Sequence, residues 1–271
     1  MKATVLVDNI GTEDLAGEWG LSFFIEFRGK KVLLDAGADG LFAENASKLG
    51  ISLNEADYAV LSHAHYDHAD GMAEFFALNT KAKLYLRESC GENCYKEEES
   101  RWKYIGIRKG LLEQYKDRIV RVSGDVELEK GMWLIPHKTC GLENAGMRER
   151  MYLRDKEYCT VDDFSHEQSL VFDTGDGLAV FNSCCHGGAD NIIAEVSDTF
   201  PGRRVRIMAG GFHLFNKTEE YVSDFAKKLR DTGVEQIWTG HCTGGDAYQI
   251  LKKELGGMVH QLKAGAEISL G

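Results

Sequence analysis

Short apolar runs alternate with polar turns along the chain, and their lengths predict strands more often than helices. Ala3 to Ile10, Gly20 to Phe27 and Lys31 to Asp35 read as three strands, with Arg28-Gly29-Lys30 turning the second into the third. Leu41 to Leu49 has the period of a short amphipathic helix stopped by Gly50. Tyr58 to Leu61 reads as a buried strand, Met72 to Leu78 as a helix and Lys83 to Arg87 as a strand. Residues 88–118 are charged and aromatic and predict an insert of helix and loop, with Glu97-Glu98-Glu99 on a solvated face. Ile119 to Val122 and Met132 to Ile135 are further strands. Residues 136–167 show the least regular pattern and predict a long loop, either a lid over a substrate or ordinary surface. Ser169 to Asp173 and Leu178 to Asn182 form a hairpin about Thr174-Gly175-Asp176-Gly177. The rest alternates helix and strand: helix from Asn191 to Val196, strand from Val205 to Ala209, helix from Glu219 to Asp231, strand from Gln236 to Thr239, helix from Asp246 to Leu255.

The polar positions where these strands end carry the chemistry. Leu61-Ser62-His63-Ala64-His65-Tyr66-Asp67-His68-Ala69-Asp70-Gly71 packs three histidines and a carboxylate into six residues directly after an apolar strand. Imidazole and carboxylate together are a ligand set for zinc, iron or manganese. On extended backbone His63 and His65 project to the same side, while Asp67 and His68 follow a turn and can reach a second ion. Three later strands also end in histidines flanked by small residues: His186 in Cys184-Cys185-His186-Gly187-Gly188, His213 in Gly210-Gly211-Phe212-His213, and His241 in Gly240-His241-Cys242-Thr243-Gly244. If these strand ends share one edge, six histidines converge there. His137 and His260 read as structural or surface residues.

Composition narrows the partners. A net charge of −11 over 271 residues, with only short basic clusters such as Arg203-Arg204-Val205-Arg206, argues against nucleic acid and for a small-molecule substrate. No apolar stretch approaches the length of a membrane span, and the first residues lack the apolar core of an export signal, so the expected setting is cytoplasmic with no membrane partner. Seven cysteines, an odd number, are expected to be free thiols. Cys90 and Cys94 are spaced for one helix face.

The run from Ser62 to Gly71 resembles the signature of the metallo-β-lactamase superfamily, and Val32-Leu33-Leu34-Asp35-Ala36-Gly37 resembles that family's first motif. The segments Asp162-Asp163-Phe164-Ser165-His166-Glu167-Gln168, Cys184 to Asn191, Gly210 to Leu214 and His241 to Gly244 are similar to one branch of it. That branch is the dihydropterin synthase-like group, named for an archaeal enzyme of methanopterin synthesis. The resemblance runs from Leu6 to about Gly265. It implies an α/β (α+β in some schemes) four-layer αββα sandwich, one domain over residues 1–271, with a mono- or dinuclear centre, read as two divalent metal ions, zinc first and iron or manganese as alternatives. It implies His63, His65 and His186 as ligands of one ion and Asp67, His68 and His241 as ligands of the other. Asp67 and His213 are the implied catalytic groups, His213 as a substrate contact or an acid or base, unless it is a satisfied core histidine. Asp35 would orient the metal-binding loop. Cys184 stands where the superfamily often has a bridging Asp, and reads either as a bridging thiolate or as a small buried residue. His166 is expected as a ligand or substrate contact. The implied activity is that of a metal-dependent hydrolase or synthase on a small, phosphorylated or pterin-like molecule. The alternatives are a thioester or lactone hydrolase resembling glyoxalase II and a non-catalytic metal- or ligand-binding protein.

Overall fold

The structure is a computed structural model that describes residues 1–99 and 101–270. Ser100, inside the expected insert, and Gly271 lie outside the described residues. Two seven-stranded sheets make the frame. The first pairs Lys2–Val7, Ser22–Phe27 and Lys30–Leu34 antiparallel, then continues in parallel through Tyr58–Val60, Lys83–Arg87 and Ile119–Val122. The second pairs Met132–Pro136, Gln168–Asp173 and Leu178–Cys184 antiparallel and continues in parallel through Val205–Gly211, Gln236–Thr239 and Val259–Gln261.

The strands alternate buried faces because both sides of each sheet are covered. Phe23, Ile25 and Leu34 of the first sheet meet Leu170, Phe172 and Phe181 of the second in one buried cluster. Phe23 stacks edge-on to Phe181 with ring centres 5.4 Å apart, and Phe27 to Phe172 at 5.1 Å. On the outer side of the first sheet, Leu33 and Leu61 pack against Phe42 of the helix Leu41–Lys48 and Phe75 of the helix Met72–Leu78. On the outer side of the second, Val180, Met208 and Ile237 pack against the helices Ala189–Thr199, Glu219–Asp231 and Gly245–Leu255. These are the four αββα layers expected.

Two expected segments differ. The insert at 88–118 is built on the hairpin Cys94–Glu98 and Arg101–Tyr104 rather than on helix, followed by short helical turns at Leu111–Gln114 and Lys116–Arg118. The span 136–167 holds the helix Glu143–Glu149 and the strands Met151–Arg154 and Cys159–Val161. Together the four strands form a small antiparallel sheet. Cys90 and Cys94 therefore do not share a helix face; both are buried, at a turn and at the start of a strand. The first strand also ends earlier than expected, at Val7, because Asp8 and Asn9 turn toward His241. Seven cysteines are free, as expected.

His137, expected to be structural or at the surface, ties the second sheet to its helices. Its Nε2 lies 2.8 Å from Glu167 Oε1 and its Nδ1 3.1 Å from Glu195 Oε2. Burial lowers the pKa of His137, but the two carboxylates outweigh burial and raise it to about 10. The charged pair thus stabilises the fold fully below the ordinary histidine pKa of about 6.5, and that contribution fades as pH rises toward 10. In thermal unfolding, wild-type protein should lose stability between pH 7 and 10 more steeply than His137→Gln. His137→Ala should be roughly 3–5 kcal/mol less stable at pH 7, because two buried carboxylates lose their partner. Parallel pH profiles for wild type and variant would contradict this.

Candidate metal centre

The candidate ligand residues sit at carboxyl ends of neighbouring strands in the two sheets, where a sheet fixes the backbone and loops bring side chains together. The organising group is Asp35, fully buried, at the end of Lys30–Leu34 and with a left-handed φ of +56°. Its Oδ1 accepts the Ser62 N–H at 2.7 Å. Its Oδ2 accepts the Ser62 hydroxyl at 2.6 Å and pairs with His68 Nδ1 at 2.9 Å. The Ser62 hydroxyl proton is thereby committed to Asp35, so Ser62 Oγ is left to accept from His63 Nδ1, 2.8 Å away. One carboxylate in this way orients a proton of both His63 and His68 onto Nδ1 and turns Nε2 of each toward the centre; at His68 burial is outweighed by Asp67 and Asp35, which raise its pKa. Gly71 lets the loop close on this strand end, since a Cβ there would lie 2.1 Å from Ala36 O.

His241 is set the same way from the other end of the chain. Its backbone N–H donates to Asp8 Oδ2 at 2.9 Å, and its Nδ1 lies 3.0 Å from Asn9 Oδ1. Its Nε2 faces His68 Nε2 at 3.2 Å. Two acceptor nitrogens so placed repel unless a proton or a cation sits between them. The spacing matches two ligands of one ion held about 2 Å from each. Asp67 Oδ2 lies 3.5 Å from His241 Nε2 and 3.8 Å from His68 Nε2.

A second group forms beside it. His63 Nε2, His65 Nε2 and both ring nitrogens of His186 are buried with no hydrogen-bond partner, and donor atoms of these three histidines lie within 4.8 Å of one another. Buried imidazole nitrogens are costly to leave unpaired, and a cation is the partner this donor set fits. Phe164, itself at φ +53°, stacks on His186 with ring centres 4.6 Å apart and holds its orientation. Burial keeps the pKa of His63, His65, His186 and His241 well below the ordinary value, so all four are neutral donors at pH 7. Burial also pushes the Asp67 carboxyl up.

Cys184 lies between the groups, with its sulfur in clusters containing His63 and His68, His241 and Cys242, and His186 and His213. His213 has φ +51°, its Nδ1 is 3.6 Å from Cys184 Sγ and its Nε2 is 3.3 Å from Glu149 Oε2. Burial would lower the His213 pKa, but Cys242 and Glu149 outweigh it and raise it to about 9. Glu149 also receives Asn216 Nδ2 at 2.9 Å and Lys217 Nζ. His166 is buried beside the centre: the Ala64 N–H reaches its Nδ1 at 3.2 Å, its Nε2 lies 3.1 Å from Asp162 Oδ2 and 3.7 Å from Cys94 Sγ, and it forms with His65, Cys94 and Asp162 a group whose donor atoms lie within 4.8 Å of one another. The distant residue His260 instead stacks on Trp238.

Asp8, Asn9, Glu149 and Cys242 were not singled out from the sequence. Only Cys242 carried a local signal, its place beside His241 in a glycine-flanked strand end. A cleft of about 290 Å³ opens onto these groups. Its mouth holds two exposed aromatics, Trp19 and Phe215, with ring centres 5.8 Å apart. Tyr66, Lys96 and Lys103 line it as well, the lysines coming from the hairpin that replaced the expected helical insert.

Asp35→Ala should weaken zinc binding about 10–100-fold, as loss of a ligand-orienting carboxylate does, read by competition with a chromophoric chelator. Unchanged affinity in folded variant would contradict the tautomer argument.

A family model for the metallo-β-lactamase superfamily matches residues 20–146. The chain is 25% identical over 296 residues, 96% of each chain, to the 7,8-dihydropterin-6-methyl-4-(β-D-ribofuranosyl)-aminobenzene-5′-phosphate synthase of Methanocaldococcus jannaschii. It is also 25% identical over 248 residues to the uncharacterized protein MJ0448 of the same organism, covering 89% of this chain and 90% of that one. Among solved structures, Tm1679, a metal-dependent hydrolase of the β-lactamase superfamily, superposes with a TM-score of 0.85 at 28% identity over 100% of this chain and 99% of that one. A diphosphatase from the PhnP family shares the fold, with a TM-score of 0.56 at 16% identity over 100% and 98% of the two chains. Signature, family model and structural likeness agree, and the chain has the metallo-β-lactamase fold.

Proposed function

We propose that this protein is a metal-dependent hydrolase or synthase whose ion centre is held by His63, His65 and His186 on one side and Asp67, His68 and His241 on the other. The reading assigns two ions, zinc first. It rests on one observation above all: ring nitrogens of His63, His65 and His186 are buried without partners, and beside them Nε2 of His68 and His241 face each other at 3.2 Å, next to an open cleft. A divalent ion there supplies Lewis acidity, polarising a carbonyl or phosphoryl oxygen and making water a stronger acid.

The chain's own residues do the rest. Trp19 and Phe215 offer apolar ring faces for a flat substrate. Lys96 and Lys103 offer cationic groups to a phosphate or carboxylate. His213, braced by Glu149, is placed to donate a hydrogen bond or a proton to a substrate atom above the centre. Asp67, beside His68 and His241, is the nearest carboxylate to hold a proton taken from the attacking group. A small, phosphorylated or pterin-like substrate fits these walls, and the Methanocaldococcus jannaschii synthase is a relative whose named product has both features. Residues 1–271 are read as one catalytic domain. The net charge of −11 supports a small-molecule partner over nucleic acid. Among the described residues no helix is long and apolar enough to cross a membrane; no membrane partner and a cytoplasmic setting complete the reading.

Purified protein should hydrolyse a chromogenic phosphodiester or ester, lose that activity to a chelator and regain it with zinc. His63→Ala and His241→Ala should each lower the rate at least about 100-fold while leaving the fold intact. A folded, metal-loaded protein with no turnover of any chromogenic ester would favour a binding protein instead.

A further inference from the structure

Cys242 follows His241 in the short turn of helix His241–Thr243, and its sulfur lies 2.9 Å from Cys184 Sγ. That is longer than the roughly 2.05 Å of a disulfide and closer than sulfur atoms approach in ordinary packing. A proton shared between the sulfurs accounts for this approach as it stands; two thiolates on one tetrahedral ion, each about 2.3 Å from it, would sit roughly 3.7 Å apart, so joint binding requires the sulfurs to part by less than about 1 Å.

Three features favour the cation. The two sulfurs and a ring nitrogen of His241 lie within 4.8 Å of one another, and the Cys184 sulfur is grouped as closely with His63 and His68. The backbone N–H of His213 donates to Cys242 Sγ at 3.2 Å, a bond that strengthens when the sulfur is a thiolate. The neighbouring strand end is cut back to admit the sulfur: a Cβ on Gly211 would lie 2.5 Å from it. A small buried residue kept only for packing needs none of these.

We propose that Cys242 is a metal-binding thiolate that acts with Cys184, so that the centre presents a sulfur pair beside its imidazoles. The inference rests on the metal-centre reading above and deepens it. A sulfur pair selects a thiophilic ion such as zinc over manganese or magnesium. Binding releases one proton from each thiol to solvent and calls for no oxidant or reductant.

Cobalt(II) makes the test visible, because each thiolate bound to it adds sulfur-to-metal charge-transfer absorption. Wild-type protein loaded anaerobically with cobalt(II) should show this band. Cys242→Ser and Cys184→Ser should each remove roughly half of it, and the double variant all of it, with unchanged circular dichroism. Full intensity in folded Cys242→Ser overturns the proposal. Cobalt bound with no such band in wild type also overturns it, while leaving the imidazole centre standing. Failure of wild type to bind cobalt at all overturns the metal-centre reading and this one with it. Should the serine variants not fold, X-ray absorption on zinc-loaded wild type decides: two metal-bound sulfurs per chain support the proposal, and one or none overturns it.

Discussion

The site depends on one buried carboxylate. Asp35 sits at the end of a central strand with no exposure to solvent, a costly place for a charge unless donors surround it. It is met by the Ser62 N–H, the Ser62 hydroxyl and His68 Nδ1. These bonds offset its desolvation and pin the loop that carries the histidine signature. They also decide chemistry, because they fix which nitrogen of His63 and His68 keeps its proton. Asp35 has a left-handed backbone, a region that few residues other than glycine, asparagine and aspartate adopt, and these bonds hold it there.

The same logic recurs across the two halves of the chain. Asn9 presets His241 over a separation of 232 residues, and Phe164 holds His186 flat by stacking. His213 and His241 are also in left-handed backbone, both at the ends of parallel strands. Each half of the sandwich thus brings histidines to the same edge, and neither half completes a donor set alone. The small sheet then closes one wall: the Tyr66 N–H reaches Ile105 O at 3.0 Å, which ties the segment after Arg101–Tyr104 to the signature loop.

What the sequence made legible was the part whose signals are local. Most apolar runs of the two main sheets read correctly as strands, though the short edge strands Val126–Glu129, Val259–Gln261 and Glu267–Ser269 did not show, and the structure gathers the signature histidines with those at three later strand ends. The small sheet was not legible because its strands are half-exposed and polar, as in Cys94-Tyr95-Lys96-Glu97-Glu98, and lack the alternation that marks a buried face. Residues 136–167 misled for the same reason: a seven-residue helix and strands of three and four residues leave little period to detect. Asn9 and Glu149 were invisible because each acts through a partner distant in sequence, and the Asp162 and Cys94 neighbours of His166 come together only in the folded sheet.

The most direct test of the account is the metal content of protein purified without added metal or chelator, measured by inductively coupled plasma mass spectrometry. The account predicts about two equivalents of a divalent ion per chain, mainly zinc, as the paired imidazole groups and flanking thiols favour. Protein that is folded yet holds no metal, before and after reconstitution with zinc, iron or manganese, would contradict it.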